Sequence, residues 1–205
     1  MATQDDEQTV RDTTSAGYTR RLRTRSEVWW KRLLPVQAPY RWNLRRQRLG
    51  RTIDLGCGIG RNLVALDAES IGIDHNPDSV ALCRERGLTA LTPEEWRTSD
   101  LRRPGTFDGL LLAHVVEHLS PEAGRDLVAE YLPYLRPGGR VFFVCPQESG
   151  YASDASHVFF ADGAHLTALA VELGLRSEAW SSFPLPRAAG RFFTYNEFCL
   201  LAHVR

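Results

Sequence analysis

The chain of 205 residues is 43% hydrophobic and 24% charged, with a formal net charge of zero and a pI near 7. This is the composition of an ordinary globular sequence with one sizeable core, and it excludes a global positive field that would gather phosphates. No apolar run approaches the ~20 residues of a membrane span, and Cys57, Cys83, Cys145 and Cys199 form no C-x-x-C pair, so they read as reduced, mostly buried thiols.

Residues 1–17 are acidic and polar and lack periodic apolar positions. They are expected to form a mobile tail rather than a signal peptide, which points to the cytoplasm. In residues 18–49, Val28, Trp29, Leu33 and Leu34 fall at helical spacing and Pro35 and Pro39 interrupt it, predicting one or two short helices. Between Arg20 and Arg51 stand eleven Arg or Lys and one acid, Glu27. This cluster reads as a solvated basic face in preference to an anion-recruiting patch, so no nucleic-acid partner is expected.

From Arg51 strand and helix alternate. "RTIDL" is a strand, Arg61 to Asp67 a helix, "SIGID" a strand, and Asp78 to Arg86 a helix closed by Gly87. "LTAL", a short helix from Pro93, "FDGLLLA", a helix from Pro121 to Leu135 and "RVFFVC" follow. The long loop after Cys145 is a candidate for function. A helix near Ala164 to Leu173 and strands near Arg176 to Phe183 and Phe193 to Val204 complete the pattern. Such alternation builds βαβ units, so the class is α/β, a doubly wound, mostly parallel sheet with helices on both faces.

In "TIDLGCGIGRNLVAL" the glycines Gly56, Gly58 and Gly60 follow the first strand, where an open α/β sheet binds its ligand. The third slot of a G-x-G-x-x-G dinucleotide fingerprint is Arg61, which weakens a nicotinamide reading. Asp54 ends the first strand, where its carboxylate can meet an ammonium group. Asp74, twenty residues on, ends the second, where a carboxylate can accept ribose hydroxyls. An adenosyl ligand carrying an amino acid fits this pattern.

With "DLGCGIG", "GIDHNPDSV", "FDGLLLAHVVEHL" and "LRPGGRVFFVCP", residues 50–205 resemble the class I S-adenosylmethionine-dependent methyltransferases, in particular the small ubiquinone- and menaquinone-type enzymes and their relatives in specialised metabolism. The resemblance implies a Rossmann-like sheet of seven strands, order 3-2-1-4-5-7-6, with the last strand antiparallel. It also implies an N-terminal helical lid over residues 18–49. S-adenosylmethionine would be bound by Asp54, Gly56, Cys57, Gly58 and Gly60, with Asp74 at the ribose and His75 beside the adenine. Leu91 and Thr92 are further contacts after the third strand, where Glu94 and Glu95 are the available acids. Ala113 and His114 would face the reacting methyl group.

"AHVVEHL" places His114, Glu117 and His118 just past the fourth strand. The spacing matches an inverted zinc-protease motif, but that motif needs a catalytic helix and this segment leaves a sheet. No metal is assigned, although some quinone-type relatives carry acids and a histidine at the matching places, which leaves a divalent cation at His114, Glu117 and His118 open. His157, in the loop after the fifth strand, is the expected general base, oriented by Asp154, with His118 or His114 as a second polar contact. Trp29, Trp30, Tyr40 and Trp42 could form one wall of a pocket for an apolar or aromatic small molecule, and Tyr151, His157, Phe159 and Phe160 the other. The expected reaction is O-methylation of a hydroxyl or carboxyl by a monomer or homodimer. N- or C-methylation, or cofactor binding without transfer, are the alternatives.

Overall fold

A computed structural model describes residues 37–205. The expected tail at 1–17 and the first part of the expected lid, Trp29 and Trp30 included, lie outside the described residues.

Helix α1 (Ala38–Arg46) leads into β1 (Thr52–Leu55), β2 (Ile71–Ile73), α2 (Pro77–Glu85), β3 (Ala90–Leu91) and α3 (Pro93–Thr98). Then come β4 (Phe107–Ala113), α4 (Pro121–Tyr131), β5 (Leu135–Pro146), the single turn α5 (Glu148–Tyr151) and α6 (Gly163–Glu172). Three short strands, β6 (Arg176–Ser177), β7 (Ser181–Phe183) and β8 (Glu197–His203), end the sheet.

Local chemistry sets the helix ends. Asn76 caps α2 by accepting from the amides of Asp78 and Ser79, with Pro77 in the first turn, where a missing N–H costs nothing. Gly87 closes that helix at φ 74°, letting the Leu88 amide reach back to the Cys83 carbonyl. Thr92 and Glu95 form a reciprocal capping box at α3, and Ser120 and Asp162 cap α4 and α6. Two expected helices are shorter than read. Arg61 to Asp67 yields only a 3-10 turn at Leu63–Ala65, and the helix from Pro121 tightens into a 3-10 turn at Leu132–Tyr134, where Pro133 has no amide to continue the ladder. The loop after Cys145 contains α5, which was not expected.

The sheet order is β3-β2-β1-β4-β5-β8-β6, parallel from β3 through β5 and antiparallel at β8, with β7 also paired to β8. The Ser177↔Ala202 and Ser181↔Cys199 pairs differ by one residue in register, so β6 and β7 are two pieces of one edge strand broken by a bulge. Counted as one strand, they restore the expected seven.

Strands with both faces covered explain the continuous apolar text of "FDGLLLA". Leu110 and Leu112 join Val141, Phe143, Leu200 and the helices α4 and α6 on one face. Leu111, Phe142, Val144 and Cys199 meet Leu44 and Leu49, beside α1, on the other. No helix among the described residues is long and apolar enough to cross a membrane.

Candidate active site

The carboxyl ends of β1, β2 and β4 converge on the glycine turn. Gly56, Gly58 and Gly60 all adopt positive φ, at 66°, 51° and 77°, a region closed to most side chains. At Gly56 a Cβ would lie 2.6 Å from Val115 Cγ2, and at Gly60 2.6 Å from Leu88 Cδ1. The turn is anchored by the Gly56 amide, which donates to the Ile73 carbonyl at 2.8 Å.

Asp54 is buried in β1, and neither of its carboxylate oxygens has a hydrogen-bond partner. Burial, with Asp74 and Cys83 nearby, pushes its carboxyl well above the ordinary range. A buried carboxylate without donors is costly unless a ligand supplies them. Asp74 is better satisfied: Oδ2 accepts from the Gly58 amide at 2.7 Å and Oδ1 from the Asn76 amide at 2.9 Å. His75 is partly exposed beside it, with Nδ1 4.0 Å from Asp74 Oδ1. Cys57 is buried behind the turn, Leu91 ends β3 half-buried, and Thr92 spends its hydroxyl on the cap of α3. Glu95 is likewise committed, to the Thr92 amide and Arg84.

Beyond Ala113, His114 adopts φ 60°, and its ring spans two carboxylates: Nδ1 lies 3.1 Å from Glu117 Oε1 and Nε2 3.0 Å from Glu197 Oε1. The surrounding protein disfavours its charge, but Glu117 and Glu197 outweigh this and hold the imidazole up at about 10. With both nitrogens donating, His114 has no lone pair to offer as a base. Glu117 is fully buried, and burial alone would raise its carboxyl; the hydrogen-bonded, charged His114 instead holds it below the ordinary range. Glu197 comes from β8 and had no signal in the sequence, because only the register Pro146↔Glu197 brings it to this edge.

The loop after β5 docks on the turn that follows β4, with the Val158 and Phe159 amides both donating to the Glu117 carbonyl. This packing brings His118 and His157 to a ring-centroid separation of 4.8 Å. His118 Nδ1 lies 3.1 Å from the Ser156 carbonyl, and His157 Nδ1 2.7 Å from the Tyr151 carbonyl. A carbonyl only accepts, so both Nδ1 atoms carry a proton, and in the neutral ring it is Nε2 that holds the lone pair. Burial lowers the His118 pKa, which favours that neutral form. Asp154 does not orient His157 as expected; its carboxylate accepts from the Ser156 amide and hydroxyl, while the Tyr151 carbonyl and the stacked Tyr151 ring position the imidazole. Of the expected aromatic wall, Tyr40 and Trp42 pack on Phe183, at 5.7 and 6.4 Å, beside the start of β8.

Residues 53–143 match a family model described as a methyltransferase domain. By this match and by its fold, the segment is similar to the S-adenosylmethionine-dependent methyltransferases. Over 104 residues it is 31% identical to a ubiquinone biosynthesis O-methyltransferase of Burkholderia ambifaria, covering 45% of this chain and 43% of that protein. It is also 31% identical over 106 residues to a tRNA (carboxymethyluridine(34)-5-O)-methyltransferase of Mus musculus, covering 50% and 16%. The chain thus spans less than half the length of these curated relatives. Its fold is that of the magnesium protoporphyrin IX methyltransferase of Synechocystis PCC 6803 with bound S-adenosylmethionine (TM-score 0.66, 15% identity, 100% and 99% coverage). It is also that of a methyltransferase from Archaeoglobus fulgidus (TM-score 0.63, 19% identity, 80% and 92% coverage).

The methyltransferase cofactor fits the glycine turn. Asp54 offers a donor-less buried carboxylate to an ammonium group, the positive-φ glycines allow close approach, and Asp74 ends the second strand beside them.

Proposed function

We propose that this domain methylates an oxygen of a small apolar or aromatic molecule, a hydroxyl or carboxyl, with Asp54, Gly56, Gly58, Gly60 and Asp74 holding the cofactor. When bound, S-adenosylmethionine supplies an electrophilic methyl group on its sulfonium. The chain's own work is then to align the acceptor, exclude water and take a proton where the acceptor is a hydroxyl. The observation that carries the oxygen assignment is the His157 imidazole, whose Nδ1 is fixed on the Tyr151 carbonyl so that Nε2 is left as a proton acceptor. The printed names of both curated relatives, which describe oxygen methylation, support the same reading. Residues 18–49 serve as a lid in this scheme, a role supported by the contacts of Tyr40 and Trp42 with Phe183.

Labelled cofactor offered with a panel of phenols, carboxylic acids and amines, followed by identification of the labelled product, tests this reading. Label on oxygen, with kcat lowered about 10²–10⁴-fold in His157→Ala and cofactor affinity unchanged, is the expected outcome. Label on nitrogen or carbon would reject the oxygen assignment, and a loss under about threefold would leave His157 a scaffold residue. Filter binding of RNA at two salt concentrations checks the polynucleotide alternative, since binding through phosphates weakens steeply with salt.

A further inference from the structure

We propose that the exposed face of α1, together with the 185–195 segment beside it, docks the protein on an anionic phospholipid surface. The chain is neutral as a whole, but its charge is segregated. Residues 37–53 contain five arginines and no acid, and residues 179–196 contain two arginines and no acid. Contacts join the two stretches into one surface. The Tyr40 hydroxyl donates to the Tyr195 carbonyl at 2.8 Å, the Tyr40 and Trp42 rings both pack on Phe183, and the Phe193 ring meets Tyr195 edge-on at 5.8 Å. The basic cluster expected to be only a solvated face thus has aromatic neighbours that the sequence order hides.

Asn43 and Leu44 are the buried residues of α1, which leaves Arg41 and Arg45, one turn apart, exposed on its outward side with Trp42 and Arg46. The Arg46 guanidinium lies 5.1 Å from the centroid of the Trp42 ring. An outward face of arginine and tryptophan suits a membrane interface, with the cations at the lipid phosphates and the indole at the headgroup level.

The apolar side chains beside α1 strengthen this assignment. Phe192 is 86% exposed, Trp42 and Tyr195 58% each, and Leu185 43%. Phe192 and Leu185 have no polar atom to offer water, so leaving them outside the core forgoes hydrophobic free energy that a lipid surface would return. Their segment is not held loosely. Asn196, fully buried, accepts from the Leu185 amide at 2.9 Å and donates to Gln147 Oε1 at 2.9 Å. Arginines alone would suit RNA phosphates equally well; Leu185, which cannot stack on a base, favours hydrocarbon.

The surface borders the acceptor edge of the sheet, because Phe183 pairs with Glu197 across the β7–β8 ladder and Glu197 reaches His114. Under the proposed function, a docked protein meets an apolar acceptor where such a molecule partitions. Docking itself requires neither cofactor nor acceptor.

The test is co-sedimentation of the full chain with vesicles of phosphatidylcholine alone and with vesicles of an equal mixture of phosphatidylcholine and phosphatidylglycerol, at two ionic strengths. Binding to the mixed vesicles only, weakened by salt, is expected. Arg41→Glu/Arg45→Glu should bind at least about tenfold more weakly, and Phe192→Ser should weaken the part of the binding that survives high salt. Arg97→Glu/Arg125→Glu, the same change of charge on α3 and α4 against the other sheet face, should bind like the parent. Circular dichroism and thermal melting establish that each variant is folded. Mixed vesicles left unbound by the parent, or bound unaltered by a folded Arg41→Glu/Arg45→Glu, would overturn the proposal. So would polyuridylate bound more tightly than mixed vesicles at equal phosphate concentration. A dimer that Phe192→Ser dissociates, seen by light scattering in a protein that ignores vesicles, would assign the surface to a second copy instead. Because no arm uses cofactor or acceptor, failure of docking leaves the methylation reading standing, and failure of that reading leaves docking.

Discussion

The Asp74 carboxylate accepts a hydrogen bond from the Gly58 amide at 2.7 Å, so the end of β2 grips the glycine turn that follows β1. One side chain therefore both shapes the turn and presents a carboxylate at the place expected for the ribose. Asp74→Ala should weaken cofactor binding by about 1.5–3 kcal/mol, the scale of hydrogen bonds to a charged group. Calorimetric titration with S-adenosylhomocysteine measures it, and an unchanged affinity would move the ribose site elsewhere.

Asp54 trades stability for binding. Its carboxyl is raised in the folded protein, so the folded state holds a proton that the unfolded chain releases. Its contribution is complete below the unfolded carboxyl pKa and is lost as pH rises toward the folded value. The cofactor-free protein should therefore lose stability over that interval, and Asp54→Asn should flatten the dependence. The same variant should gain about 0.5–2 kcal/mol without cofactor and bind cofactor more weakly, a trade-off that paired thermal melts with and without ligand would show.

His114 couples the end of β4 to β8 through Glu197 and to the following turn through Glu117. Removing it strands the buried Glu117 carboxylate, which should cost about 1–3 kcal/mol. His114→Asn suits the positive φ better than His114→Ala. Urea unfolding should rank the parent above Asn and Asn above Ala. Equal stability of all three would show that the ion pairs contribute nothing net.

Gly56→Ala meets two obstacles, positive φ and the Val115 side chain. A residue forced into that backbone region costs about 1–3 kcal/mol before any clash. Adding Val115→Ala should recover only the steric part, so the double variant should remain less stable than Val115→Ala alone. Full recovery in a double-mutant cycle would mean that the glycine is there for space rather than for its torsion angle.

Features that depend on neighbouring residues were legible in the sequence. The bounds of "FDGLLLA" coincide with β4, because a strand covered on both faces writes itself as an unbroken apolar run. Gly87 and the Asp54–Asp74 spacing were readable for the same reason: turns and strand ends have local chemistry. The candidate catalytic edge was less legible. His114, His118 and His157 could be picked out as residue types, yet their roles are set by Glu197, the Ser156 carbonyl and the Tyr151 carbonyl. Backbone acceptors carry no residue signature, and Glu197 arrives through pairing with a strand far away in the chain. Asp154 shows the converse: three residues from His157 it looked like its partner, but an Asp at that spacing is as able to close a local turn on Ser156.

The antiparallel placement of β8 also bears on the order in which the protein assembles. Ribosomal synthesis delivers the glycine turn, β4 and β5 before residues 197–203 exist, and β5 must wait for the segment that covers its open edge. Until then His114 lacks Glu197, and the exposed edge of β5 can pair with other chains. Nascent chains stalled before residue 197 should be the aggregation-prone species, so a holding chaperone would act on them during this interval of translation.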